Sequence, residues 1–228
     1  MGLWDGKREI PLGEKRGGQD SRSGRQKQFP HAGAGAVDRP PAGGNDRVVP
    51  DDARPTRLAV PLDPTKDHTL GDAAAPVRLL EYGDYECPDC RRAYPMLAEL
   101  QQQFGPRLLF AFRHFPQFTT HRHASVAAQA AEAAGQQGKF WAMHDLLYLN
   151  QDRLETPDLT YYAAKLGLEI YKFESSLTEG VYQRRVQTDY DGGLRSGVRG
   201  TPTLFINDVR YEGPIEIVAL AAAIDATG

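Results

Sequence analysis

The sequence is poor in cysteine. Two cysteines in 228 residues are too few for the disulfide framework that staples small secreted domains, so the pair has to be judged by its placement. Long apolar runs are missing too. No stretch approaches the roughly 18 consecutive apolar residues of a membrane span, which argues against stable membrane insertion. Neither sign of charge is in excess, since 27 basic residues stand against 30 acidic ones for a net charge of -3. A chain so balanced has no positive field with which to hold nucleic acid or acidic lipid, so protein or small-molecule partners are expected. No apolar segment follows a basic start in Met1-Gly2-Leu3-Trp4-Asp5-Gly6-Lys7, so no export signal is recognised. The chain as written is therefore expected in the cytoplasm, or exported if its start is misassigned.

What is present divides near residue 55. Residues 1–55 are rich in Gly, Pro, Arg, Asp and Gln, as in Arg39-Pro40-Pro41-Ala42-Gly43-Gly44. Without apolar periodicity they bury too little surface to offset their ordering entropy. A disordered tail is expected there, with a targeting or docking tail as the alternative. The hydrophobic content, 40% overall, is enough for one well-filled domain over 56–228.

Within that domain, Arg57-Leu58-Ala59-Val60 reads as a short strand and Val77 to Tyr82 as a buried one ending at Gly83-Asp84. Tyr94, Leu97, Leu100 and Phe104 recur at helical spacing and predict a helix running to Gly105-Pro106. Leu108 to Phe112 then reads as a strand parallel to the first, since a helix crosses between them. A block of several helices is expected over about 120–198, with breaks at Gly135, Gly138, Pro157, Gly167 and Gly180. Thr203 to Ile206 and Val209 to Tyr211 flank Asn207-Asp208, a hairpin signal. Pro214 is expected to open a last helix with Ile215, Val218, Ala221 and Ile224 on one face.

The two cysteines stand together as Cys87-Pro88-Asp89-Cys90, between the strand and the first helix. Thiols so spaced can close a disulfide with little backbone movement. Cys87, at the helix N-terminus, is the more reactive, because unpaired N–H groups and the helix dipole favour its thiolate. Pro88 suits the first helical position, which needs no N–H partner. Two other readings are weighed. A zinc site would need four ligands, and the pair supplies only two, so His121 and His123 would have to complete it. Alternatively, the cysteines are inert. No metal and no cofactor are expected.

On these residues the sequence resembles the thioredoxin-fold superfamily and, within it, the DsbA-like branch, in which a helical block is inserted into the core. Cys87-Pro88-Asp89-Cys90 looks like the active-site motif, and Pro95 like the proline within the active-site helix. Gly200-Thr201-Pro202-Thr203 is similar to a loop whose proline is cis and lies against the disulfide, and Gly138 to Asp145 to a helix of that branch. The resemblance extends from about Asp63 to the C-terminus, and is also to DsbA-like domains fused to sodium/proton antiporters. It implies an α/β class and a thioredoxin-like fold with an inserted helical domain. It also implies that Glu81 is a buried acid exchanging protons with Cys90, and that Thr201 and Pro202 bind substrate. A surface position for Glu81 at the strand end is the alternative.

The expected function is thiol–disulfide exchange on protein dithiols or disulfides, with Cys87 as nucleophile, Cys90 resolving and an unidentified redox partner resetting the pair. A non-catalytic sensor or adaptor of the same fold is the alternative, and a glutathione-dependent enzyme a weaker one. Asp89 stands where strongly oxidising relatives have a histidine. Its carboxylate and that of Glu86 are expected to raise the Cys87 pKa, partly offset by Arg91 and Arg92, making the centre less oxidising. Phe115, Pro116, Phe118 and Tyr148 are candidates for an apolar rim, although such residues are more often core. A monomer is expected.

Overall fold

The structure, a computed structural model, describes residues 56–227. The expected disordered tail, residues 1–55, lies outside the described residues. A five-stranded mixed sheet is built from β1 (His68–Leu70), β2 (Val77–Gly83), β3 (Leu108–His114), β4 (Thr203–Ile206) and β5 (Val209–Arg210), in the order β1-β3-β2-β4-β5. β2 and β3 run parallel, joined by α1 (Pro88–Phe104), and the other neighbours are antiparallel. Between β3 and β4 come α2 (Ala124–Gly135), α3 (Phe140–Leu149), α4 (Thr156–Lys165), α5 (Ile170–Thr178) and α6 (Gln183–Arg195), and α7 (Ile217–Asp225) closes the fold. This is the expected α/β class and thioredoxin-like fold with a helical insertion. Among the described residues, no helix is long and apolar enough to cross a membrane.

The central strands read as continuous apolar runs because both their faces are covered. Alternation divides them. Val77 and Leu79 of β2, with Leu108, Phe110 and Phe112 of β3, face the core shared with α1 and the insertion. Leu80, Tyr82, Leu109 and Ala111 face a smaller core with Phe115, Val198 and Phe205. On this second side α6 approaches closely at Gly193, where a Cβ would come within 2.6 Å of the Phe115 ring.

Three local expectations are corrected. Arg57 to Val60 forms only an isolated bridge, Arg57 to Val209. The chain at its end serves another partner: the buried Arg113 guanidinium donates to the Val60 and Pro61 carbonyls at 2.8 and 3.0 Å, to Tyr82 Oη at 3.1 Å, and to both Asp67 oxygens at 2.8 Å. At the opposite edge of the sheet stands β1, too short and polar to register as a strand in sequence. The last helix starts at Ile217 rather than Pro214, and Val218 is 78% exposed while Leu220 is buried with Ile224. The hairpin forms as expected, and Asn207 and Asp208 both adopt positive φ, 46° and 66°, as a two-residue hairpin turn requires.

A buried ionic network ties the insertion to the sheet. Glu132 of α2 accepts from His68 Nε2 and His114 Nε2, each at 2.9 Å, and Arg185 of α6 lies 3.7 Å from it while pairing with Asp189. His114, Glu132 and Asp189 bring three ligand-type atoms within 4.8 Å of one another, but Arg185 already supplies a cation to both carboxylates. Burial works against the Glu132 charge, yet the His114 and His68 hydrogen bonds and charges hold its pKa below the ordinary 4.5. Its stabilising contribution is therefore present above pH 4.5 and lost as pH falls through the lower folded value. Glu132→Gln is expected to cost about 3 kcal/mol at pH 7 in urea unfolding, as removal of one buried ionic partner does. The variant should also lose less further stability than the wild type below pH 4.5.

Candidate active site

β2 ends at Gly83, and after three intervening residues the chain turns into α1 with Cys87 as its N-cap, φ -76° and ψ 120°. Pro88 occupies the first helical turn and no side-chain hydrogen bond caps the helix. The first-turn amides thus lie open beside the Cys87 sulfur. Cys87 and Cys90 are both buried and both free thiols, and Cys87 Sγ donates to the Thr201 carbonyl at 3.2 Å. The two sulfurs are electrostatically opposed. Cys87 is drawn down to about 5, foremost by its hydrogen bond with Cys90, against burial, and then by the Thr201 side chain and the Cys90 and Asp89 amides. Cys90 is pushed well above an ordinary thiol by burial, then by its bond to Cys87 and the charge of Glu81.

Glu81 lies on the same face of β2 as Val77 and Leu79, so strand alternation points it toward α1. It is 1% exposed, with Oε1 unpartnered. Burial, then the charge of Cys87, raises its pKa to about 8, opposed by a hydrogen bond with Cys90. Gly83 makes this packing possible: a Cβ there would meet the Phe112 ring at 2.4 Å and Glu81 Oε1 at 2.9 Å. The alternative of a surface carboxylate does not describe Glu81.

The Thr201-Pro202 peptide is cis, and its loop is tied to the cysteine loop by residues the sequence did not single out. The buried Asp84 carboxylate accepts from the Glu86 amide, the Gln117 amide and His121 Nδ1, each at 2.8 Å. Gln117 in turn donates from Nε2 to Thr201 Oγ1 at 3.1 Å. Gln151, between α3 and α4, donates to the Tyr85 carbonyl at 2.9 Å and the Cys87 carbonyl at 2.7 Å. Nothing in local sequence marks a glutamine that binds a loop 64 residues away.

Residues 63–226 match the sequence profile described as thioredoxin. The chain belongs to the thioredoxin family. An Na(+)/H(+) antiporter NhaA 1 of Salinispora arenicola is 46% identical over 167 residues, covering 73% of this chain and 26% of that protein. The NhaA 1 of Mycolicibacterium vanbaalenii is 38% identical over 183 residues, 79% of this chain and 30% of that one. The chain thus spans under a third of the length of these curated relatives. Among solved structures, oxidised BdbD of Bacillus subtilis superposes with TM-score 0.66 at 22% identity, covering 76% of this chain and 97% of that one. A thioredoxin-like oxidoreductase of Silicibacter pomeroyi gives 0.64 at 27%, covering 72% and 92%. Wolbachia pipientis alpha-DsbA1 gives 0.63 at 21%, covering 75% and 94%. Within the thioredoxin family the fold is of the DsbA-like kind.

In this thioredoxin-family domain several expectations about the site's surroundings change. Asp89 is exposed and pairs with Arg92. Glu86 accepts from the His123 amide at 2.6 Å and lies 3.1 Å from His123 Nδ1. The expected rise of the Cys87 pKa is not found, because its hydrogen bonds outweigh burial and lower it. His121 and His123, the residues a zinc site would have required, are engaged by Asp84 and Glu86. Of the candidate rim, Phe115, Pro116 and Tyr148 are buried, and only Phe118, 47% exposed, faces solvent. Pro95 lies within α1.

Gln151→Leu strands the Tyr85 carbonyl and leaves the Cys87 carbonyl with the Arg91 amide alone, and an unsatisfied buried acceptor costs about 1–3 kcal/mol. A fall of that size in denaturant stability, with faster amide exchange at Cys87 to Arg91, is expected by hydrogen-exchange mass spectrometry.

Proposed function

We propose that this domain is a thiol–disulfide oxidoreductase acting on protein dithiols and disulfides, with Cys87 as nucleophile and Cys90 as resolving thiol. The observation that carries this reading is the division of labour between the two sulfurs. One is held near pKa 5 at a helix start, and the other is suppressed by burial one turn along. A thiolate present at neutral pH is the species that attacks a disulfide.

In the reducing direction, the Cys87 thiolate attacks one sulfur of a substrate disulfide, forming a mixed disulfide and releasing a substrate thiolate. Cys90 gives its proton to the Glu81 carboxylate and attacks Cys87 Sγ. The Cys87–Cys90 disulfide forms, and the second substrate thiolate leaves and takes up a proton from solvent. Two electrons pass to the substrate, and oxidation of a dithiol is the reverse. A carboxyl with a pKa of about 8 is partly ionised at neutral pH, so it can both accept and return that proton. The Thr201 carbonyl beside Cys87, with Pro202 next to it, offers an extended peptide a backbone edge. An unidentified redox partner resets the pair.

The antiporter-named relatives favour a second reading, an adaptor or sensor domain whose cysteines report redox state without turnover. The two separate in an insulin-reduction assay. Turnover lost in Cys87→Ser, with a mixed disulfide accumulating in Cys90→Ser, is the outcome expected of the oxidoreductase. A folded wild type that turns nothing over supports the adaptor. Against a glutathione series, a potential of about -120 mV places the pair with strong oxidants, and one of about -270 mV with reductants. Glu81→Gln is expected to slow resolution of the mixed disulfide by about tenfold or more, the scale of a positioned proton acceptor. It should also remove the inflection near pH 8 from that step, read by stopped-flow quenching.

A further inference from the structure

Four residues close a ring of hydrogen bonds around the nucleophile. The Cys87 amide donates to the Asp84 carbonyl at 3.1 Å, and the Asp84 carboxylate accepts from the Gln117 amide at 2.8 Å. Gln117 Nε2 donates to Thr201 Oγ1 at 3.1 Å, and the Thr201 carbonyl accepts from Cys87 Sγ at 3.2 Å. Asp84, Cys87 and Thr201 belong to the two loops that carry the sulfur and the cis proline. Gln117 comes from elsewhere, the loop between β3 and α2 through which the chain enters the helical insertion. We infer that Gln117 is a positioning residue that turns the Thr201 hydroxyl into a hydrogen-bond donor for the Cys87 thiolate, and so favours the reduced pair. This rests on the thiol–disulfide reading above and names a control on the same site.

The direction of these bonds carries the argument. A carboxamide nitrogen has hydrogens to give and no acceptor site. Thr201 Oγ1 is therefore the acceptor from Gln117, and its own hydrogen is left over. A carbonyl can accept from the Cys87 thiol but has nothing to offer a thiolate, so ionisation breaks the 3.2 Å contact. The hydroxyl is the side-chain group of the same residue that can supply a hydrogen in its place. Among the described residues, Gln117 and Cys87 are the hydrogen-bond partners of the Thr201 side chain, and its bond is one of those that lower the Cys87 pKa.

The backbone of Gln117 is fixed on both sides. Its amide is held by Asp84, and its carbonyl accepts from the Thr120 and His121 amides at 3.0 and 2.9 Å. The side chain thus reaches Thr201 from a rigid turn. The other titratable groups about Cys87 are Cys90, Glu81 on the strand below, Asp84, Glu86 and Asp89 in its own turn, and His121 on the Gln117 loop. None of them is altered in the variants that follow.

The test uses the full chain and needs no substrate. Gln117→Met keeps the bulk and removes the donor. Gln117→Glu keeps the shape but only accepts at neutral pH, so it draws the Thr201 hydrogen to itself. Followed by thiolate ultraviolet absorbance, the Cys87 thiolate is expected to be about threefold less favoured in Gln117→Met and about tenfold in Gln117→Glu. These are rises of roughly half a unit and one unit in pKa, on the scale of couplings within one hydrogen-bond network. The tenfold change makes the potential of Gln117→Glu about 30 mV more negative. In a Thr201→Val background, Gln117→Met is expected to leave the Cys87 pKa where Thr201→Val alone puts it. In the wild type, the side-chain amide resonances of Gln117 are expected to titrate with Cys87, because a hydroxyl that donates to a thiolate accepts more strongly. A Cys87 pKa unmoved in Gln117→Met overturns the inference, and so does a shift that persists in the Thr201→Val background. If the variants do not fold, the Gln117 amide titration in the wild type decides alone. Insulin turnover without this coupling overturns the inference and leaves the enzyme reading standing, and the coupling in a domain that turns nothing over does the converse.

Discussion

Helix geometry leaves the first amides of α1 without intrahelical partners, and here no polar side chain satisfies them. What stands at the cap is a sulfur. That substitution of thiol for hydroxyl or carboxylate organises the whole end of the domain. The amides and the Thr201 carbonyl fix Cys87, the helical turn places Cys90 behind it in the core, and the strand below supplies Glu81. Hydrogen bonds set the acidity of the outer sulfur, and depth sets that of the two groups beneath it. The sulfur at the helix mouth is made acidic, and the thiol and carboxyl beneath it are made weak acids by desolvation.

The insertion does more than enlarge the core. Its entry loop holds Asp84, Glu86 and Thr201 through His121, His123 and Gln117, while Gln151 holds the Tyr85 and Cys87 carbonyls. Both loops that flank the sulfurs are therefore braced by residues outside the sheet-and-helix core. Behind them, Tyr85, Tyr148 and His144 pack with Phe112, and Tyr85 Oη lies 3.0 Å from His144 Nδ1. Burial lowers the pKa of this histidine to about 3, so the aromatic floor stays uncharged at neutral pH.

Sequence periodicity was a good guide wherever a segment buries a face of its own. The two parallel strands, α1, the hairpin and the helical block were legible for that reason. It failed where a segment's role is to meet a distant side chain. Leu58 and Val60 resemble a strand, but the Val60 and Pro61 carbonyls go to Arg113. Val218 falls on the expected apolar stripe but not on the buried one, because the helix begins later than Pro214 suggests. At the site, Cys87 and Cys90 stand out by spacing alone, and Glu81, Thr201 and Pro202 through family resemblance. Asp84, Gln117 and Gln151 had no signal, since each acts through contacts made only after the chain has folded. The reading of Asp89 fell short for a related reason: Arg91 and Arg92 were expected to offset it only in part, and the hydrogen bonds that lower the Cys87 pKa are made only after the chain has folded.

The complete burial of Cys90 one turn behind a more acidic sulfur has a bearing on peroxide. A thiolate that meets an oxidant becomes a sulfenic acid, and a second encounter takes it to sulfinic acid, from which few proteins recover. On the thiol–disulfide reading proposed above, a sulfenic acid at Cys87 would condense with the thiol beneath it to a disulfide and release water before a second oxidant arrives. Cys90, 0% exposed where Cys87 is 4%, would stay the less reachable of the two sulfurs throughout.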